Sequence, residues 1–465
     1  MELKFCGAAR EVTGSCHLLT LDDGYKILLD CGLYQGSDEE MANFNRNWYF
    51  NPSDIDCVIL THAHIDHSGR LPFLVKSGFK GSIYSTHATR SLCAIMLLDS
   101  AKIQEYDAKY DQKKQKKESV GPLYETKHVT DTMKLFRSVS YDHWFTIHEG
   151  VEVLFRDAGH ILGSASVTLR IQGEKYIGFT GDIGREDRPI LRDPEPMPPV
   201  DYLICESTYG DRDHVSKPVE DEHFLKVIHE TCVLRGGKVI IPSFSVGRTQ
   251  DIVYILDQLF NEGLLPADIP VFVDSPLAIN ATQVYGTHPE CYDDELNEYL
   301  LQDDDPFGFN SLTYIRDAEV SKSLNTRKGP CVIISASGMA NAGRVRHHLA
   351  NHIEDVRNTV LLVGYATPST PAGILRAGHK TINLFGEWLQ VNAQVQIIDA
   401  LSAHGDRWEM LSFIKNQQSA KGLFLVHGDY EVQVAWRAFL EERGFDHIEI
   451  PALRDSYILF GDTHQ

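Results

Sequence analysis

Short apolar runs that break off directly into glycine, serine, aspartate or histidine recur along almost the whole chain, with helix-compatible stretches between them, and this alternation dictates an α/β protein. In the first 208 residues, Ile27-Leu-Leu leads into Asp30, Cys57-Val-Ile-Leu into Thr61 and His62, and Val151-Glu-Val-Leu-Phe toward His160. Tyr176-Ile-Gly-Phe leads into Gly181 and Asp182, and Tyr202-Leu-Ile-Cys into Glu206. Strand ends are where such sheets present chemistry, so each of these polar residues is a candidate for function. From 209 to 393 the unit becomes strand, small-residue loop, helix: Val239-Ile-Ile-Pro before Ser243-Phe-Ser-Val-Gly-Arg, Val271-Phe-Val before Asp274-Ser-Pro, Val332-Ile-Ile before Ser335-Ala-Ser-Gly, and Val360-Leu-Leu-Val before Gly364. That repetition predicts a parallel, Rossmann-like sheet. A new strand and helix set starting at 394 (Val395-Gln-Ile-Ile-Asp, then Leu423-Phe-Leu-Val-His427, and finally Ser456-Tyr-Ile-Leu-Phe) is expected to return to the first domain and complete it.

Length agrees with this division, since 465 residues exceed what one core usually supports. No apolar run suits a signal peptide or a membrane span, so a soluble, cytoplasmic protein is expected. The nine cysteines are scattered and mostly sit in apolar runs, which reads as reduced core thiols. A net charge of −21 argues against a protein that coats long nucleic acid through clustered cations, although metal ions can neutralise a phosphate locally. The basic stretch Lys109 to Lys117 lacks apolar periodicity and reads as a solvated helix face.

The chemistry concentrates in His62-Ala-His64-Ile-Asp66-His67, placed immediately after a strand. Histidines two apart on leaving a strand can turn both rings toward one ion, while Asp66 and His67 reach a neighbouring one. Imidazole and carboxylate without thiolate suit zinc, with manganese or iron also accommodated, and the Cys-rich closed tetrahedron of a structural zinc is missing. His160 in Ala158-Gly-His-Ile-Leu-Gly-Ser and Asp182 in Phe179-Thr-Gly-Asp-Ile-Gly supply what the string lacks, a further imidazole and a carboxylate able to bridge two cations. Taken singly, either would be a turn aspartate or a hydrogen-bonded core histidine.

In order and spacing, Gly7-Ala-Ala-Arg-Glu-Val-Thr-Gly-Ser, Leu29-Asp-Cys-Gly, the histidine string, His160 and Gly181-Asp182 resemble the metallo-β-lactamase superfamily. Glu206-Ser-Thr-Tyr-Gly, Ser402-Ala-His404-Gly-Asp and Leu425-Val-His427-Gly resemble motifs A, B and C of its β-CASP branch, which includes ribonuclease J and the mRNA 3′-end cleavage endonuclease. The resemblance runs over nearly the whole chain and is nearest to the short bacterial and archaeal members. It implies an αββα sandwich at 1–208 and 394–465, with an inserted Rossmann-like β-CASP cap at 209–393. It also implies two divalent ions, one on His62, His64 and His160, the other on Asp66, His67 and His427, with Asp182 bridging. A hydroxide shared by the ions would attack the phosphorus of single-stranded RNA, endonucleolytically, from the 5′ end, or both. Asp66, Glu206 and His404 are the implied catalytic residues, with Glu206 holding His404 protonated to serve the leaving oxygen. Asp30 would orient a ligand from beneath, or simply form a turn.

In the insert, Ser243 and Arg248, and Ser337, Gly338 and Arg344, lie between strand and helix, where backbone N–H groups can bind phosphate. Two departures from the family pattern stand out: Gly364-Tyr-Ala-Thr-Pro-Ser-Thr-Pro-Ala-Gly lacks an expected arginine, and Phe385-Gly-Glu replaces His-Gly-Glu. His347, His348 and His352 in a helical stretch, with His143, His148 and His229, are expected in surface or core roles, whereas His17 and His87 can approach the site through the fold. A small-molecule ester, thioester or lactam hydrolase, a single-stranded DNA nuclease and a non-catalytic scaffold are the competing functions, and a homodimer is left open.

Overall fold

Period-two burial builds the first layer. The computed structural model describes residues 1–36, 43–113, 121–214, 220–364, 366–398 and 401–461, with the backbone alone at 110–113 and 220–221. Most of the basic run, with Tyr365 and Asp399, therefore lies outside the described residues or side chains. In strands Glu2–Gly7, Lys26–Leu29 and Cys57–Ile59, alternate residues (Leu3, Phe5; Ile27, Leu29; Cys57, Ile59) point the same way. They meet Val151, Val153 and Phe155, Val167 and Leu169, Ile177 and Phe179 of a second sheet in one continuous core. Side chains two apart share a sheet face, so this spacing alone drives sheet-on-sheet packing.

Each of these sheets has seven strands among the described residues. The first runs from Ser456–Ile458 at one edge through Glu2–Gly7, Cys16–Thr20, Lys26–Leu29, Cys57–Ile59 and Ser82–Thr86 to Phe136–Val139. The second runs from Ile448–Glu449 through Gly422–Val426, Tyr202–Glu206, Lys175–Phe179, Ala165–Ile171 and Val151–Asp157 to Phe145–His148. Helix His87–Lys113 lies against the first sheet. The far face of the second (Leu203, Cys205, Leu423, Leu425) is covered by Met410, Phe413, Trp436 and Leu440 of helices Arg407–Ile414 and Tyr430–Glu441. The result is an α/β sandwich of αββα order, contained in a unit of residues 1–186, 193–213 and 404–465. Its C-terminal segment inserts strand Gly422–Val426 in parallel beside Tyr202–Glu206, which sets Val426 level with Glu206 and His427 one residue beyond that pair.

A second unit comprises 187–192 and 214–403. Its six-stranded parallel sheet has the order Leu312–Tyr314, Val271–Val273, Cys331–Ser335, Lys238–Pro242, Thr359–Val363, Gln394–Ile398. The strand at 394–398, expected to open the return to the first domain, is instead the edge of this sheet, pairing from Thr359↔Gln394 to Val363↔Ile398. The return comes at His404 rather than 394. An apolar alternation shows that a strand exists and leaves unspecified which sheet edge receives it. Residues 187–192, expected in the first domain, also join this unit, through an ion pair from Arg188 to Asp251 at 2.6 Å and a bridge from Leu191 to Tyr292.

Candidate metal centre

Backbone geometry at three strand ends aims the polar residues. Strand Cys57–Ile59 runs out into His62, and His64 turns the chain into the short helix Ile65–Ser68, carrying Asp66 and His67 on its first turn. Asp30 and His427 end their strands with left-handed backbones, φ 57° and φ 53°. That region is costly for side chains other than glycine, asparagine or aspartate, and such strain collects at functional sites. Close approach also demands glycine at Gly32, where a Cβ would lie 1.6 Å from the Asp66 carbonyl oxygen.

Four ligand atoms converge around the first position. His62 Nε2 and His160 Nε2 each lie 3.1 Å from His64 Nδ1, and Asp182 Oδ2 lies 3.5 and 3.4 Å from the same two Nε2 atoms. Around the second, His67 Nε2 is 3.1 Å from His427 Nε2 and 3.2 Å from Asp182 Oδ1, while Asp66 Oδ2 is 3.5 Å from His427 Nε2. Ligands about 2.0–2.1 Å from a tetrahedral ion are about 3.3 Å apart, so both sets have the spacing a small divalent cation imposes. Asp182 Oδ1 is buried with no hydrogen-bond partner, an expensive state that a cation would relieve.

Contacts at Nδ1 orient three of the imidazoles, His62, His67 and His427. His67 Nδ1 donates to Asp30 Oδ2 at 2.7 Å, which turns Nε2 inward toward Asp182 and His427. Asp30 also accepts from Ser15 Oγ, Thr61 N–H and Thr61 Oγ1, and Thr61 Oγ1 lies 3.1 Å from His62 Nδ1. Thr208 Oγ1 lies 2.9 Å from His427 Nδ1 and donates to Glu206 Oε2 at 2.6 Å. Burial holds the His62 ring far below the ordinary histidine range and His64 at about 4, so both are neutral donors. Burial opposes ionisation of Asp182, yet His427, His67 and His62 hold it well below the usual carboxylate range.

Glu206 and His404 form a third group with Asp182. Glu206 Oε2 lies 3.2 Å from His404 Nδ1, and its Oε1 accepts from the Ile183 N–H. Burial works against the imidazolium, but the Glu206 carboxylate, with Asp182 and Asp66, raises the His404 pKa above its ordinary value. His404 is the more accessible of the pair, with a side chain 21% exposed against 1% for Glu206.

Segment 9–211 matches the family model described as the metallo-beta-lactamase superfamily, 249–375 the Beta-Casp domain, and 388–451 the Zn-dependent metallo-hydrolase RNA specificity domain. Ribonuclease TTHA0252 of Thermus thermophilus is 34% identical over 438 residues, covering 94% of this chain and 95% of that protein. The chain belongs to the β-CASP family of metallo-β-lactamase-fold proteins. It is also 33% identical to Transcription termination factor FttA of Methanosarcina mazei and 30% identical to Cleavage and polyadenylation specificity factor 73 of Drosophila melanogaster, covering 91% and 92% of itself. It spans 66% and 60% of their lengths. A crystal structure of a protein of unknown function from Enterococcus faecalis V583 superposes with TM-score 0.52 at 12% identity over 98% of this chain and 99% of that one, a likeness of fold alone. In this β-CASP protein the buried His/Asp cluster suits metal binding.

The residues singled out in the insert belong to the second unit. Ser243 is buried and accepts from Thr249 Oγ1. Arg248 donates to the Val363 carbonyl at 2.7 Å, and Arg344 donates to Asp274 Oδ1 at 2.6 Å and to the carbonyls of Ile315 and Arg316. Ser337 Oγ bonds Asn341, and Gly338 lies under the ring of Phe244. Phe385 stacks on His347 with ring centroids 4.6 Å apart, the Arg346 guanidinium 4.4 Å from its own ring centroid. His348, in the same helix, is fully buried against Asp274 at 2.7 Å. His17 is buried edge-on between Phe5 and Phe179 with neither ring nitrogen bonded, and burial lowers its pKa to about 3. Sequence reasoning marked Thr61 only as a strand-end polar residue and missed Thr208; the two hydroxyls connect His62 and His427 to Asp30 and Glu206. Their position one residue before a ligand and two after Glu206 was the available signal.

Proposed function

We propose that this protein is a metal-dependent ribonuclease that hydrolyses phosphodiester bonds of single-stranded RNA with two divalent ions, zinc foremost, and that it works in the cytoplasm. One observation carries this: Asp182 turns Oδ2 toward His62 and His160 and Oδ1 toward His67 and His427, the posture of a carboxylate spanning two cations. The names of the relatives and the description of the 388–451 segment support RNA as substrate. All nine cysteines are buried and free, which suits a reducing compartment. Among the described residues no helix is long and apolar enough to cross a membrane.

His62, His64 and His160 would hold one ion, Asp66, His67 and His427 the other, and Asp182 both. When bound, such a pair makes water nucleophilic at neutral pH and offsets charge on the phosphoryl oxygens. The chain's own residues do the rest. Asp30, Thr61 and Thr208 fix ring orientation through Nδ1. Glu206 holds Nδ1 of His404, directing Nε2 to donate a proton to the departing ribose oxygen.

The test is cleavage of end-labelled RNA in competition with single-stranded DNA, run beside metal analysis of the purified protein. RNA cleavage with about two equivalents of metal, both lost in His62→Ala, is the expected result. A preparation that holds well under one equivalent after growth in zinc or manganese and cleaves nothing would overturn it. Early internal fragments mark endonuclease action, and early mononucleotides mark exonuclease action.

A further inference from the structure

In the parallel sheet of the second unit, strands Lys238–Pro242 and Cys331–Ser335 lie side by side, Pro242 level with Ser335. Their onward connections part company. The first runs through helix Arg248–Asn261 to strand Val271–Val273, beyond Cys331–Ser335. The second runs through helix Val345–His352 to strand Thr359–Val363, beyond Lys238–Pro242. Adjacent strands whose connections diverge open a crevice at their carboxyl ends, the place where open α/β sheets take ligands.

An aromatic ring stands in that crevice. Phe244, two residues beyond a strand that is buried throughout, is 41% exposed. Its backbone is fixed, because its carbonyl accepts from Thr249 N–H, Thr249 Oγ1 and Ser243 Oγ. Its ring lies over the backbone of the opposite loop, where a Cβ on Gly338 would come within 2.7 Å of it. Both arginines of these loops are turned inward, Arg248 onto the Val363 carbonyl and Arg344 onto Asp274 and two carbonyls. An exposed, rigidly mounted ring beside two committed guanidiniums suits a flat apolar ligand face better than a phosphate.

We propose that Phe244 is a stacking platform for a nucleobase of the single-stranded RNA substrate, with Gly338 kept side-chain-free to seat the ring. This rests on the ribonuclease reading above. Stacking on an aromatic side chain tolerates any base and contributes about 1–3 kcal/mol, equivalent to roughly 5- to 150-fold in affinity.

The experiment measures KM and kcat on a short single-stranded RNA, and on the same RNA with abasic sites, for wild type, Phe244→Leu, Phe244→Trp and Gly338→Ala. Phe244→Leu preserves apolar volume and removes the π face, so KM on normal RNA should rise about 5- to 150-fold with kcat little changed. Phe244→Trp should retain wild-type KM. On abasic RNA the wild type should lose the advantage that Phe244→Leu has already lost. The slope of log KM against log salt should match between wild type and Phe244→Leu, because no phosphate contact is removed. Gly338→Ala, which displaces the ring, should raise KM in the same direction, and it stands in if the Leu variant melts early. Unchanged KM in Phe244→Leu and Gly338→Ala, or a rise accompanied by a shallower salt slope, overturns the proposal. A wild type that cleaves no RNA removes the ribonuclease reading itself, an outcome visible before any variant is compared.

Discussion

The two units use the same device, a strand breaking off into a polar loop, for opposite ends. In the first, loops at His62, His160, Asp182 and His427 bring imidazoles and a carboxylate together, and Asp182 Oδ1 has no hydrogen-bond partner. In the second, Asp274 is equally buried but saturated, accepting from Arg344, His348 and Ser321 at 2.6, 2.7 and 2.6 Å. A buried charge that has satisfied itself holds a fold, whereas one left open needs something from outside. Position at a strand end is common to both, and only the hydrogen-bond inventory separates chemistry from scaffolding.

Asp182→Asn probes this distinction most strongly. Removing the carboxylate proposed to serve both ions should cost about 4 kcal/mol or more of transition-state stabilisation, roughly 10³-fold or greater in kcat/KM, with metal content reduced and melting temperature of the metal-free protein little changed. The mirror experiment, Asp274→Ala, leaves Arg344 and His348 without their shared anion. It should cost about 3–5 kcal/mol of stability in the second unit by denaturant titration. If Asp274→Ala left stability intact, or Asp182→Asn unfolded the metal-free protein, the contrast would be broken. His404→Ala should lower kcat by about 10² to 10⁴-fold, the range of general acid catalysis, while metal content stays at the wild-type level. Loss of metal in that variant would make His404 a ligand instead. Asp30→Asn and Thr208→Val touch only the supports, and each should lower metal affinity or activity about 10- to 100-fold. Competition with a chelator of known affinity measures the first directly.

The first unit was the more legible in the sequence because its signals are local. Three histidines and an aspartate within six residues after a strand need no tertiary knowledge to be noticed. His160, Asp182, Glu206 and His404 are isolated letters, and the family's spacing made them stand out. Asp30 was named as a support, but the part played by the two hydroxyls escaped because threonine is an ordinary strand-end residue, and Thr61 or Thr208 acquires meaning only when the neighbours across the sheet are known. In the second unit, glycine- and serine-rich loops resemble phosphate cradles whether or not their arginines are occupied. That Arg248 turns to Val363, more than a hundred residues away, is a property of sheet order and not of local sequence. The edge strand Gln394–Ile398 carried the same difficulty, since its alternation fits either sheet.

Asp257 tests the smallest claim, that a charge can be pure cost in the second unit. It lies in helix Arg248–Asn261, buried, accepting from Tyr299 at 2.7 Å, its Oδ1 unbonded. Burial first, and then the neighbouring Asp303 and Asp305, raise its pKa to about 6 against the Tyr299 hydrogen bond. The folded chain therefore keeps a proton that the unfolded chain has already released above its ordinary value of 3.8. Since the folded state binds more protons in that interval, stability falls as pH rises from about 3.8 to about 6, and the whole penalty is present above it. Asp257→Asn keeps an acceptor for Tyr299 without the charge. Its melting temperature should match wild type near pH 4 and exceed it by about 2–4 °C at pH 7.5, as expected for roughly 1 kcal/mol in a unit of this size. An increment independent of pH would show that packing, rather than ionisation, accounts for the change.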